Sequence, residues 1–126
     1  MKARVLIVDD EPDVLDLVDF KLSASGFDVL RADTGVEALR KARTEAPDVI
    51  VLDLMLPDLN GLTVCQILHD QPKTRHVPIV VFSALDRAGS SYVGSKSGVS
   101  HWLSKSSNLD QLLACVRAAM TSVGKS

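Results

Sequence analysis

Val49-Ile50-Val51-Leu52-Asp53 runs four apolar residues straight into one carboxylate, and Leu54-Met55-Leu56-Pro57 and Asp58-Leu59-Asn60-Gly61 follow it. A wholly apolar run bounded by turn residues reads as a strand buried on both faces. An Asp at the carboxyl end of such a strand sits where open α/β sheets bind their ligands. Taken alone, Asp53 reads first as a cap for the next turn, so the other strand ends have to decide.

Three of them carry reactive polar residues as well. Val5 to Val8 is a second apolar run and ends in Asp9-Asp10-Glu11-Pro12; Pro12 suits the first turn of a helix, where its missing N–H costs nothing. Pro78-Ile79-Val80-Val81-Phe82 ends at Ser83, and the weaker run His101-Trp102-Leu103-Ser104 ends at Lys105. Phe27 to Ala32 is mixed, with Asp28 and Arg31 interrupting it, which marks an edge strand. Between these runs lie helical repeats. Val14, Leu15, Val18 and Leu22 stop at Gly26; Thr34-Gly35 opens a helix that Pro47 ends; Asn60-Gly61 opens a third. A last amphipathic helix carries Leu109, Leu112, Leu113, Val116 and Met120, and Thr121 to Ser126 reads as a frayed tail.

Strands alternating with helices give a parallel sheet covered on both faces. The apolar first, third and fourth strands belong in its centre, and the second and fifth at its edges. Right-handed crossovers then give the order 2-1-3-4-5, a doubly wound flavodoxin-like (βα)5 three-layer sandwich, with its ligand crevice between strands one and three. The expected organisation is one domain over residues 1–121 and a short tail at 122–126.

The totals narrow the function. A chain of 126 residues with 46% hydrophobic content is one domain with a sizeable core, and a net charge of −2 offers no basic field for nucleic acid or membrane. Met1-Lys2-Ala3-Arg4 leads into a strand rather than a signal-peptide core, and no apolar run nears the roughly 18 residues of a membrane span, so a soluble, cytoplasmic protein is expected. Cys65 and Cys115 have no metal spacing and read as reduced, packed cysteines; His69, His76 and His101 show no ligand spacing either.

In the expected fold one rim collects Asp9, Asp10, Asp53, Ser83 and Lys105. Carboxylates crowded together repel, by about 4 kcal/mol for a pair about 4 Å apart at an effective dielectric of about 20. A hard divalent cation relieves this, with Mg²⁺ the first choice for oxygen ligands. An acidic metal pocket with a lysine and a hydroxyl at its margin suits a phosphoryl group, and a carboxylate is itself a competent phosphoryl acceptor. The plain structural reading makes Asp9 and Asp10 helix-terminal charges, Ser83 a cap and Lys105 a solvated side chain. All four strand ends carrying the required chemistry favours the site.

These residues resemble the receiver domain of two-component response regulators. Leu6-Ile7-Val8-Asp9-Asp10-Glu11-Pro12 resembles its opening motif, Asp53 to Gly61 its phosphoacceptor loop, and Ser83-Ala84 and Lys105 stand where it keeps a hydroxyl residue and a lysine. The resemblance covers essentially the whole chain. It implies that Asp53 accepts a phosphoryl group from the phosphohistidine of a histidine kinase or phosphotransfer protein. It implies that Asp10, Asp53 and the main-chain carbonyl of Met55 bind Mg²⁺, with Asp9 acting through water, and that Ser83 and Lys105 bind phosphoryl oxygens. Trp102 stands at the place of an aromatic switch residue. The fourth helical segment, fifth strand and last helix would form the signalling face, toward a downstream partner or an output domain absent from this chain, with a homodimer as one possibility. The domain takes part in its own phosphorylation but is not a turnover enzyme.

The sequence departs from the pattern in three places. Lys105 is followed by Ser106 rather than proline; a cis bond there costs about 2.5–4 kcal/mol, so a trans path is expected and the position of Lys105 is left open. The segment Asp86 to Gly98 holds three glycines and four serines, so a short or mobile helix is expected. Met55 and Leu85, placed to tune phosphate loss, are apolar and do not orient a water, which predicts a long-lived phosphoryl group. Three alternatives remain. One is a degenerate receiver that binds partners without phosphorylation. Another is an aspartate-nucleophile phosphatase or phosphotransferase. The third is a flavin-binding module, which the Asp-Asp-Glu-Pro loop disfavours by repelling phosphate.

Overall fold

The computed structural model describes residues 2–84 and 98–124. The elements run β1 (Arg4–Val8), α1 (Pro12–Ala24), β2 (Asp28–Ala32), α2 (Gly35–Thr44), β3 (Val49–Leu52), α3 (Gly61–Asp70), β4 (Ile79–Ser83), β5 (Val99–Ser104) and α4 (Leu109–Gly124). The five strands form one parallel sheet in the order β2-β1-β3-β4-β5. This is the doubly wound architecture expected from the alternation of apolar runs and helical repeats.

Each central strand feeds two cores because alternate side chains point to opposite faces. Leu6, Val8, Ile50, Leu52, Ile79 and Val81 meet Ala38, Ala42, Val64, Cys65 and Leu68 of α2 and α3 on one side. Val5, Ile7, Val49, Val51, Val80 and Phe82 meet Leu15, Val18, Leu22, Leu112, Val116 and Ala119 of α1 and α4 on the other. β3 and β4 are buried at every position, whereas β2 is mostly half-buried or exposed and β5 is largely half-buried. Central and edge strands therefore fall where their composition put them.

The helix ends follow local chemistry. Thr34 accepts the N–H of Glu37 and Asn60 that of Leu62, so α2 and α3 start on side-chain caps. After α1 the chain turns through Gly26, whose φ of +98° suits glycine. Cys65 is buried, and burial pushes its thiol up to about 12; Cys115 is half-buried, and neither is in a disulfide.

Two boundaries differ from expectation. β5 begins at Val99, two residues before His101, because Val99 pairs with Ile79 across an irregularity in the ladder that polar Ser100 and His101 conceal in the sequence. α4 continues to Gly124, past Thr121, where a frayed tail was expected. The glycine- and serine-rich stretch expected to form a short helix, with Leu85, Tyr92 and Val93, lies outside the described residues except for Gly98.

Gly61 sets how closely α3 approaches the end of β3. A Cβ there would lie 2.5 Å from Leu54 Cα and 2.8 Å from the Asp53 carbonyl oxygen. Both obstacles are backbone, which has little room to give. Gly61→Ala is therefore expected to lower stability by about 1–3 kcal/mol, read as a reduced urea midpoint with an unchanged slope.

Candidate functional site

The site lies at the carboxyl ends of β1, β3, β4 and β5. Ladder bonds carry on past the strands: the Asp9 N–H donates to Ala32 C=O at 3.1 Å, Asp53 to Val8 C=O at 3.0 Å, and Lys105 to Ser83 C=O at 2.9 Å. The same backbone bonding that builds the sheet thus aligns the first residue beyond three of its strands. Asp9 and Asp53 are 4% and 3% exposed, and Ser83 is fully buried.

Asp53 is held on both oxygens. Ser83 Oγ donates to Oδ1 at 2.9 Å, the Met55 N–H approaches Oδ1 at 3.3 Å, and Lys105 Nζ donates to Oδ2 at 3.1 Å. Lys105 Nζ also lies 2.8 Å from Asp9 Oδ2 and 3.2 Å from Glu11 Oε1. One ammonium thus serves three carboxylates. Ligand atoms of Asp9, Asp10, Glu11 and Asp53 all lie within 4.8 Å of one another. These are hard oxygen donors of the kind Mg²⁺ takes, so the residues fit such an ion.

Burial and charge pull against each other here. Burial raises the Asp9 carboxyl above its ordinary range, against the hydrogen bonds from Lys105 and the Glu11 N–H. Burial by itself lowers the Lys105 ammonium, but the hydrogen bonds and charges of Asp9 and Asp53 outweigh it and hold the amine well above its usual range. Both groups move upward, which favours the charged form of Lys105 and the neutral form of Asp9, because one cation answers several anions. Lys105 gains from each carboxylate, while Asp9 shares Lys105 and faces the charge of Asp53.

Of the residues expected at this rim, Asp9, Asp53, Ser83 and Lys105 make direct contacts, and Asp10 stands exposed beside them. The Met55 side chain is exposed, and its main chain bridges to Asn60 and approaches Asp53. Trp102 is half-buried and packs against the core on the α2 and α3 side. The Lys105–Ser106 peptide is trans, as expected. A serine turn shapes this loop: the Ser106 N–H donates to Ser104 Oγ at 3.2 Å and the Ser107 N–H to Ser104 C=O at 2.9 Å. Asn108 and Gln111 then exchange side-chain and backbone bonds of 2.8 and 3.0 Å, opening α4.

Two contributors were missed in the sequence. Glu11 entered as part of an acidic run, with nothing to indicate that its side chain reaches Lys105. Asp58 accepts the N–H groups of Gly35 and Val36 at 2.7 and 3.0 Å, tying the loop after β3 to the start of α2. Those bonds, from Val36 and then Gly35, hold the Asp58 carboxyl below its ordinary range. Its acidity next to a turn was the only local signal. Asp10, Met55 and Asp58 also line a cleft of about 550 Å³ beside the carboxylates.

Comparison with known proteins agrees with this geometry. Residues 5–117 match the response regulator receiver domain family, and the chain belongs to it. It is 42% identical over 118 residues to the response regulator PleD of Caulobacter vibrioides, covering 94% of this chain and 26% of that protein. It is 38% identical to the alkaline phosphatase synthesis transcriptional regulatory protein PhoP of Bacillus subtilis, covering 95% of this chain and 49% of that one. The chain thus spans half or less of these relatives. Among solved structures, a CheY-like receiver domain protein from Methanospirillum hungatei JF-1 superposes with a TM-score of 0.90 at 24% identity, covering 99% of this chain and 98% of that one. The receiver domain of Francisella response regulator 1452 superposes with a TM-score of 0.86 at 32% identity, covering 96% and 98%.

Lys105 is the one cation seen against the buried pair Asp9 and Asp53 among the described contacts. Removing one member of such a cluster leaves charge uncompensated. Lys105→Met is expected to cost about 3 kcal/mol in metal-free buffer at neutral pH. Adding Asp53→Asn to it should recover part of that loss, both read by urea unfolding.

Proposed function

We propose that this receiver is a phosphoacceptor switch in which Asp53 takes a phosphoryl group from the phosphohistidine of a histidine kinase or phosphotransfer protein. The observation that carries the reading is the double restraint on Asp53, with Ser83 on Oδ1 and Lys105 on Oδ2 inside an acidic cluster. Transfer breaks the P–N bond, leaves its electron pair on the imidazole nitrogen and forms an O–P bond at Asp53. Ser83 and Lys105, released from carboxylate oxygens, then donate to phosphoryl oxygens. Both donors are fixed beforehand, so little rearrangement is needed as charge shifts toward the phosphoryl group.

Asp10, Asp53 and the Met55 carbonyl would hold Mg²⁺, with Asp9 contributing through water. Bound there, the ion neutralises charge on the carboxylates and the phosphoryl oxygens. The charged state at Asp53 then biases Ser83 and Trp102, and the face around β5 and α4 carries it to a downstream protein or an output domain outside this chain. No described helix is long and apolar enough to cross a membrane, and the net charge is −2. A cytoplasmic protein without direct nucleic-acid contacts, free to dimerise, fits these features. It acts on its own aspartate rather than turning over a substrate. Against a degenerate, phosphorylation-independent receiver stands Lys105, which reaches the pocket although Ser106 follows it.

Intact mass after incubation with acetyl phosphate and Mg²⁺ is expected to show one added phosphoryl group. It should be absent without Mg²⁺ and absent in Asp53→Asn. Exposed, apolar Met55 offers no hydrogen bond to an attacking water, so the adduct should persist for minutes or longer. Loss within seconds would contradict that part of the reading.

A further inference from the structure

Glu11 is the one acidic residue of the cluster that the proposed reaction does not use. It occupies the N-cap of α1 in an extended conformation, where a side-chain oxygen commonly accepts an N–H of the first turn. It makes no such bond. Pro12, next in the chain, has no N–H to offer. The carboxylate turns instead to Lys105, Oε1 to Nζ at 3.2 Å, while the Glu11 N–H donates to Asp9 Oδ1 at 2.9 Å. Glu11 therefore touches both members of the Asp9–Lys105 pair.

The three partners of Lys105 have different fates in the proposed reaction. Asp53 becomes an acyl phosphate, and Asp9 shares its charge with the cation. Glu11 keeps its charge throughout. Its side chain is 62% exposed, against 16% for Lys105, so it has room to follow the amine. Lysine has a flexible four-carbon stem, and ordering it costs rotamer entropy. An anion that persists through the reaction offsets that cost.

We propose that Glu11 is a positioning residue that keeps the Lys105 ammonium over Asp53 when the metal and the phosphoryl group draw on its other two partners. The inference rests on the phosphoacceptor reading above and adds to it the residue that governs Lys105. It carries an unusual sign. Removing a negative charge from the mouth of the pocket should by itself speed the approach of an anionic donor. Loss of positioning slows phosphorylation instead.

The experiment compares wild type, Glu11→Ala and Glu11→Gln. Phosphorylation by saturating acetyl phosphate and Mg²⁺ is expected to slow by about threefold to tenfold in Glu11→Ala, the range of a single exposed to half-buried ionic hydrogen bond. Glu11→Gln, which keeps an acceptor oxygen, should fall between. The independent readout is the Lys105 side-chain ammonium resonance in ¹⁵N-labelled protein with Mg²⁺, assigned by its loss in Lys105→Arg. It should be resolved in wild type and broadened away in Glu11→Ala. A Glu11→Ala rate equal to or above wild type overturns the proposal, as does an ammonium signal that survives unchanged. Loss of Mg²⁺ affinity by about tenfold or more also overturns it, because Glu11 would then be a metal ligand. If wild type itself takes no phosphoryl group, the phosphoacceptor reading falls, and the ammonium signal alone decides whether Glu11 holds Lys105.

Discussion

Several carboxylates converge on one ammonium, and the rest of the structure depends on that convergence. A pair of like charges about 4 Å apart costs on the order of 4 kcal/mol at an effective dielectric of about 20, so such a group does not assemble by itself. The sheet imposes it. Parallel strands all end on the same side, and β1 and β3 are neighbours whose crossovers run to opposite faces. The register that sets Val8 beside Leu52 also sets Asp9 and Asp53 beside each other one residue later. Lys105 arrives from β5, at the far edge, because a long flexible stem spans what the backbone does not.

The rigidity of the site comes from below it. Every residue of β3 and β4 is buried, and alternate side chains lock into separate cores on the two faces. A slip of one residue would turn each strand's side chains into the wrong core. The loop after Asp53 is fixed separately, by the close approach of Gly61 to Leu54 and by the bonds from Gly35 and Val36 to Asp58. Asp53 thus stands between a strand that does not shift and a loop tied to another helix. A charge change there is felt by its side-chain partners before the backbone yields.

Most of the fold was legible because burial writes itself into sequence periodicity. The apolar runs at Val5–Val8, Val49–Leu52 and Ile79–Phe82 marked the central strands, and the polar interruptions at Asp28 and Arg31 marked an edge. β5 was read two residues short because an edge strand tolerates a polar Ser100 between Val99 and the rest of the run, and tolerance leaves no pattern. The rim residues were legible for a related reason, since Asp9, Asp53 and Ser83 follow directly on apolar runs and Lys105 ends a weaker one. Glu11 and Asp58 were not. Their partners lie 94 residues away at Lys105 and 22 to 23 away at Val36 and Gly35, and no local pattern encodes which distant group a surface carboxylate will meet.

Lys105 shows how one position is secured by redundant means. With serine rather than proline after it, the backbone of the loop is not stiffened by a ring. The β4–β5 ladder extends through the Lys105 N–H to Ser83, so its Cα is set by the sheet. Beyond it, the Ser104–Ser107 turn and the Asn108–Gln111 cap lead into α4 within a few residues. What the backbone leaves free is the side chain alone, and its head group lies among Asp9, Glu11 and Asp53. The ladder decides where the lysine starts and the carboxylates decide where it ends. A serine at the next position is therefore compatible with the same site, because neither of those two constraints passes through it.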